Sequence, residues 1–146
     1  MSLLSALSVS ASGMSAQRAR TEVLVENLAN SETTRTPEGG PYRRKDVIFS
    51  EDPSVGSFSS TMDSVLGPSH SGVAVSEIAV DDSAPEMRYQ PGHPDADKDG
   101  YVAYPKINPA EDMVDLMGAS RGYEANVAAI SAVKDMINKS LDLFRS

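Results

Sequence analysis

Cysteine and tryptophan are absent from this 146-residue chain, and aromatic residues make up only 5% of it. Without cysteine there is no disulfide, no zinc–thiolate site and no thiol nucleophile. With so few aromatics a large compact core is not expected, so seams of Leu, Val, Met and Ala must carry the packing. Positive charge is scarce as well: 13 Lys and Arg stand against 21 Asp and Glu, a formal net charge of −8. Binding a nucleic-acid backbone needs a basic surface, so that class of partner is excluded. The one basic run, Arg43-Arg44-Lys45, reads as a solvated strand edge. No stretch approaches the roughly 20 apolar residues of a membrane span. The first residues alternate Leu3, Leu4, Ala6, Leu7 and Val9 with Ser5, Ser8 and Ser10. A cleaved signal peptide needs an unbroken apolar stretch behind a basic start, so the expectation is a cytosolic chain or one exported without such a signal.

What the chain does have sits at its two ends. From about Leu3 to Leu28 apolar residues recur at helical spacing, in overlapping registers through Leu7, Met14, Leu24, Val25 and Leu28. That makes a wide apolar face, as for a helix with more than one neighbour. Gly13 inside it costs roughly 1 kcal/mol against Ala, which a close packing contact or a break in the first turns would explain. The helix should stop near Asn30-Ser31, with Asn30 able to take a left-handed cap.

The C-terminal segment, about Ala110 to Phe144, is longer. Met113, Leu116, Ser120, Tyr123, Val127, Ile130, Lys134, Ile137, Leu141 and Phe144 alternate by three and four, a heptad-like seam. Asn108-Pro109 supplies an N-cap followed by Pro at the first helical position. Gly118 and Gly122 lie four apart on this helix. They mark either tolerated weak propensity or a groove where another helix comes close.

Between the ends, Val47 to Phe49, Val73 to Val80, Met87 to Gln90 and Tyr101 to Tyr104 are short strand candidates. Residues 50–72, rich in Ser and Asp, read as a flexible loop. The acidic excess lies here too: residues 31–107 hold 13 Asp and Glu against 7 Lys and Arg. The predicted class is therefore α+β. Residues 1–33 and 108–146 are terminal helices that pair as a coiled-coil-like bundle, and residues 34–107 are a small β-rich insertion.

Little in the sequence suggests catalysis. Asp95, Asp97 and Asp99 before Gly100 match the opening of a calcium loop, D-x-D-x-D-G, but the twelfth position is Lys106 rather than a bidentate Glu. A tight acidic turn with Gly100 at positive φ accounts for the same residues, leaving at most a weak cation site. His93-Pro94-Asp95 matches the tripeptide of co-chaperone J-domains without their helical hairpin. His70 and His93, the two histidines, have no nucleophile or second ligand at a telling spacing, and no G-x-S-x-G elbow is present.

The run Val25-Glu26-Asn27-Leu28-Ala29-Asn30-Ser31-Glu32-Thr33 resembles the N-L-A-N-x-x-T signature of the bacterial flagellar axial proteins, which form the rod and hook. Ser120-Arg121-Gly122-Tyr123-Glu124-Ala125-Asn126 resembles the R-x-Y-x-A-N stretch of the same family. The central Pro91 to Pro105 segment looks like the turn-and-strand hallmark of its proximal-rod members, and Pro41 to Lys45 fits as well. Lys106 departs from the family pattern, and residues 50–72 are longer than that pattern needs.

The resemblance implies a structural subunit of the basal-body rod, not an enzyme, with no cofactor and no metal. It implies assembly with copies of itself and other rod proteins into a torque-transmitting tube in the periplasm, next to membrane-ring and adaptor proteins, after export by the flagellar type III apparatus. By match of motif, Asn27, Asn30 and Thr33 would shape the end of the first helix, and Tyr123 and Asn126 would lie at a subunit contact and fix register between helices. The rival readings are a calcium-binding module and a cytosolic coiled-coil adaptor.

Overall fold

The computed structural model describes residues 3–52 and 72–145. Helix α1 spans Leu3–Ala29 and helix α2 spans Pro109–Arg145. At 1.5 Å per residue they are about 40 and 55 Å long. Between them lie two antiparallel hairpins, β1 (Lys45–Glu51) with β2 (Val73–Val80) and β3 (Glu86–Tyr89) with β4 (Tyr101–Tyr104). The class is α+β, and all four strands fall on the segments whose alternation predicted them. Ser50 and Glu51, expected to open the long loop, instead complete β1 opposite Ala74 and Val73. Most of that predicted loop, residues 53–71, lies outside the described residues.

Helix α2 starts as its sequence dictates. The Asn108 side chain accepts the Ala110 N–H at 3.2 Å and its carbonyl accepts the Asp112 N–H at 3.1 Å. Helix α1 ends differently from expectation. No described residue other than glycine has positive φ, so Asn30 is not a left-handed cap. Its N–H is shared between the Glu26 and Asn27 carbonyls, its side-chain amide donates to the Glu26 carbonyl at 2.9 Å, and the Thr33 hydroxyl donates to its Oδ1 at 3.1 Å. The Glu26 carbonyl thus accepts both the backbone N–H and the side-chain amide of Asn30, and the helix closes without a left-handed turn.

The helices run antiparallel, since Gly13 meets Asn126, Gln17 meets Gly122 and Arg20 pairs with Asp115. Hairpin β1–β2 lies against α1. Ser12 Oγ accepts the Val73 N–H at 3.0 Å near one end, and Asn27 holds Lys45 at the other. Hairpin β3–β4 closes through Gly100 at φ 82°, the positive φ expected there. Asp97 Oδ1 in that turn accepts the Asp99 and Tyr101 N–H groups at 2.9 and 2.8 Å. The buried apolar residues are Ala16, Val23, Leu24, Ala119 and Val133 on the helices and Tyr42, Val102, Tyr104, Pro105 and Ile107 in the insertion.

Candidate assembly interface

The junction is organised around Asn27, whose side chain is fully buried. Its Nδ2 donates to the Lys45 carbonyl at 2.8 Å, and its Oδ1 accepts the Lys45 N–H and the Tyr42 hydroxyl, both at 3.0 Å. A primary amide carries the same donor and acceptor as a peptide group, so Asn27 pairs with the start of β1 as a neighbouring strand would. Burial, reinforced by the Glu26 carboxylate, pushes the Tyr42 phenol up to about 12.

The basic run is a solvated edge only at Arg43; Arg44 and Lys45 are half-buried. Arg44 donates to the buried Asp112 carboxylate at 3.0 Å, tying the start of β1 to the first turn of α2. Lys45 reaches Glu26 at 2.5 Å and Arg43 reaches Asp82 at 2.7 Å. Arg44 and Lys45 thus tie the start of β1 to α2 and to α1, while the Arg43–Asp82 pair stays at the surface. Burial pushes the Asp112 carboxyl up; the charge and hydrogen bond of Arg44 pull it the other way without cancelling the shift.

Along the helix pair the contact surface is made of small residues. A Cβ on Gly13 would sit 3.0 Å from the Asn126 side chain, and one on Gly122 would meet Gln17 at 3.2 Å. Gly13 is therefore explained by close packing, not by a break in the helix. Ala16 and Ala119 are buried between the helices. Among the hydrogen bonds shown, Asn126 makes none across to α1; its Nδ2 donates to the Gly122 carbonyl of its own helix at 2.9 Å, and its side chain lies over Gly13. Gly118 has open space around it.

The face of α2 turned inward runs through Asp112, Leu116, Ala119, Asn126, Ile130, Val133 and Ile137. The predicted heptad seam lies beside this face, and of its members up to Leu141 it shares Leu116, Ile130 and Ile137. Its members Met113, Ser120, Tyr123, Val127, Lys134 and Leu141 are exposed. Among the N-terminal candidates, Leu24 is buried and Leu7, Met14 and Leu28 are half-buried. Asn30 and Thr33 sit together at the end of α1, close to Asn27 in sequence, while the α2 candidates are strung from Gly118 to Leu141, about six turns. Tyr42, Arg44 and Asp112 are not among the site residues that the sequence offers, although Tyr42 and Arg44 lie in the Pro41 to Lys45 run. Arg44 and Asp112 carry opposite charges 68 residues apart, and nothing in their spacing announces the pair.

Two of the three calcium-loop carboxylates, Asp95 and Asp97, are otherwise engaged. Asp95 Oδ2 accepts the Thr34 hydroxyl at 2.8 Å and its Oδ1 lies 3.6 Å from Arg35, while Asp97 holds its own turn. Among the described residues no three candidate ligands gather into a cation site.

Exposed large side chains on α2 — Met113, Val114, Met117, Tyr123, Val127, Met136, Leu141 and Leu143 — surround the parts of the helix that α1 leaves uncovered. Among the described residues no helix is long and apolar enough to cross a membrane. A helix apolar on several sides is one meant to be enclosed by neighbours.

Two terminal helices with apolar sides left uncovered, joined by a rigid polar junction, define a structural subunit for assembly. Comparison with known proteins gives the family. Residues 7–35 match the model of the flagella basal body rod protein family, and residues 98–143 match that of the flagellar basal body rod FlgEFG protein C-terminal region. The chain is 40% identical to the flagellar basal-body rod protein FlgC of Borreliella burgdorferi, over 99% of both chains. It is 43% identical to FlgC of Bacillus subtilis over 98% of this chain and 99% of that one, and 37% identical to FlgC of Salmonella typhimurium over 98% of both. The chain belongs to the FlgC family of flagellar basal-body rod proteins. It is a non-enzymatic structural subunit of the rod, serving motility.

Proposed function

We propose that the subunit occupies the proximal part of the rod, where copies of it and of other rod proteins form a helical tube that transmits torque. The observation that carries this reading is the apolar surface of α2 outside its contact with α1. Roughly 25 cal/mol for each Å² of apolar surface buried favours enclosing it, and a tube of packed terminal helices encloses it on every side. Tyr123, Val127 and Leu141 then face adjacent subunits, and Gly118 offers a close approach for one of them. Leu7, Met14, Leu24, Leu28, Ile130 and Ile137 hold the helix pair that presents this surface, while Asn27, Asn30 and Thr33 fix the angle at which the insertion leaves it.

The finer placement follows from the family resemblance. The tube lies in the periplasm beside the membrane ring and its rod adaptors, and the chain reaches it through the flagellar type III export apparatus. Electron microscopy of basal bodies from a strain lacking this chain tests the placement. Rods that stop near the membrane ring are expected; intact rods overturn it.

A further inference from the structure

The turn that closes hairpin β3–β4 holds a histidine that neither the helix pair nor the assembly surface uses. His93 is half-buried. Its N–H donates to the Gln90 carbonyl at 3.0 Å and its carbonyl accepts the Ala96 N–H at 3.1 Å, so its backbone is held on both sides. Its Nδ1 accepts the Asp95 N–H at 3.1 Å. A ring nitrogen that accepts a hydrogen bond carries no proton, whereas in imidazolium both nitrogens carry one. The contact therefore requires a neutral ring, with its proton on Nε2.

Asp95, on the other side of this bond, reaches beyond the turn. Its Oδ2 accepts the Thr34 hydroxyl at 2.8 Å, and its Oδ1 lies 3.6 Å from the Arg35 guanidinium. Thr34 and Arg35 belong to the segment that leaves α1. The Asp95 carboxylate thus fastens the turn to that segment, while the Asp95 N–H rests on His93. Charged and titratable groups come to this place from each side. Asp95 and Asp97 lie in the turn, and Asp97 is committed to the Asp99 and Tyr101 N–H groups. On β4, the Tyr104 ring stands 6.3 Å from the His93 ring, and its hydroxyl donates to Gln90. On β3, the Arg88 guanidinium lies 4.7 Å from the Tyr104 ring centre and feels the Glu32 carboxylate. Arg35 comes from the segment after α1.

We propose that His93 is a proton-operated catch between this turn and the segment leaving α1. Imidazole takes up a proton around about pH 6.5. A proton from solvent that settles on the Nδ1 lone pair sets one donor against another, and the bond from the Asp95 N–H breaks. The new Nδ1–H turns to the carboxylate of Asp95, two residues along the chain. That carboxylate then gives up Thr34 and Arg35. The tie between turn and segment is complete above the imidazole range and is lost as pH falls through it. Hairpin β3–β4 is then held to the chain leaving α1 less firmly in acid than at neutral pH. The catch goes beyond the rod reading and does not depend on it.

Nuclear magnetic resonance of the full purified chain, titrated from about pH 7.5 to about pH 5 across the imidazole range, tests this. At the neutral end the His93 ring should show an unprotonated Nδ1. On acidification the Asp95, Thr34 and Arg35 amide signals should shift together, with the midpoint of the His93 ring. His93→Asn keeps an oxygen acceptor for the Asp95 N–H and takes up no proton in this range. The ring signal it lacks also separates His93 from His70. In that variant the Thr34 and Asp95 signals should stay fixed over the same range. His93→Ser, which also offers an oxygen, replaces it where circular dichroism shows the Asn variant unfolded. A proton on Nδ1 at the neutral end overturns the proposal. So do Thr34 and Asp95 signals that stay fixed while the ring of the natural chain titrates, or that move equally in a folded variant. The natural chain alone decides the first two outcomes, whatever the variants do.

Discussion

At the scale of single residues, the subunit depends on a few buried polar groups rather than on a large core. Asn27 serves Lys45 and Tyr42 at once. Replacing it by Ala strands a backbone N–H, a backbone carbonyl and a phenol, each expensive to leave unpaired when buried. Asn27→Ala should lose about 3 kcal/mol in urea unfolding; a loss no larger than at an exposed site would deny the residue its central place. Tyr42 adds a pH signature. Its folded pKa of about 12 lies above the ordinary 10.0, so the folded state holds the proton more tightly than the unfolded chain does. The stabilisation is complete below pH 10 and is lost as pH rises through about 12. Alkaline melting should therefore be steeper for the natural chain than for Tyr42→Phe over that window. For Asp112, burial outweighs the pull of Arg44, and folding favours the protonated form. Its contribution is fully present at acid pH and declines as pH rises through its raised folded pKa. At neutral pH Asp112→Asn should then be nearly neutral or stabilising. Arg44→Ala, which leaves the buried carboxylate alone, should cost about 3 kcal/mol. A double-mutant cycle in which Arg44→Ala costs as much in the Asp112→Asn background as in the natural chain would contradict this.

At the scale of elements, the helix pair is held by closeness. Gly13 and Gly122 admit Asn126 and Gln17, whereas Gly118 looks onto open space. Gly13→Ala must displace Asn126 and should lower stability by about 1–3 kcal/mol, less the roughly 1 kcal/mol that Ala gains in helix propensity. Gly118→Ala in the isolated subunit should raise stability by about 1 kcal/mol. Thermal melts in which the two variants behave alike would mean that the helices do not approach as closely as described. The same contrast shows what could be read from the sequence. Strands, helix limits and the acidic turn at Gly100 were legible because turn residues and alternation act locally. The inward face of α2 was not. A seam search follows large apolar side chains, and here it found Tyr123, Val127 and Leu141, whereas the intramolecular contact uses Ala119, Gly122 and Asn126. Tyr123, Val127 and Leu141 are left exposed, and the closest approaches between the helices fall at the small residues beside Leu116, Ile130, Val133 and Ile137. Asn30 departs from expectation for a related reason: its side chain caps the helix without a left-handed backbone. The Arg44–Asp112 clamp could not be foreseen because it joins residues far apart in sequence.

At the scale of the whole molecule, the chain is two long helices and a polar junction with too little enclosed surface of its own. A rod that transmits torque needs stiffness along its axis and broad contact between subunits, and it needs no reactive pocket. Membership in the FlgC family and the exposed sides of α2 point the same way. The measurement that tests this most directly is a comparison of folding and assembly in a chain carrying both Met117→Glu and Val127→Glu, two positions exposed in the single subunit. The purified double variant should keep the helical circular dichroism and melting temperature of the natural chain, while cells that depend on it build no complete rod in electron micrographs and do not swim. A folded double variant that assembles normal rods and supports full motility would contradict the claim that this surface joins the subunits.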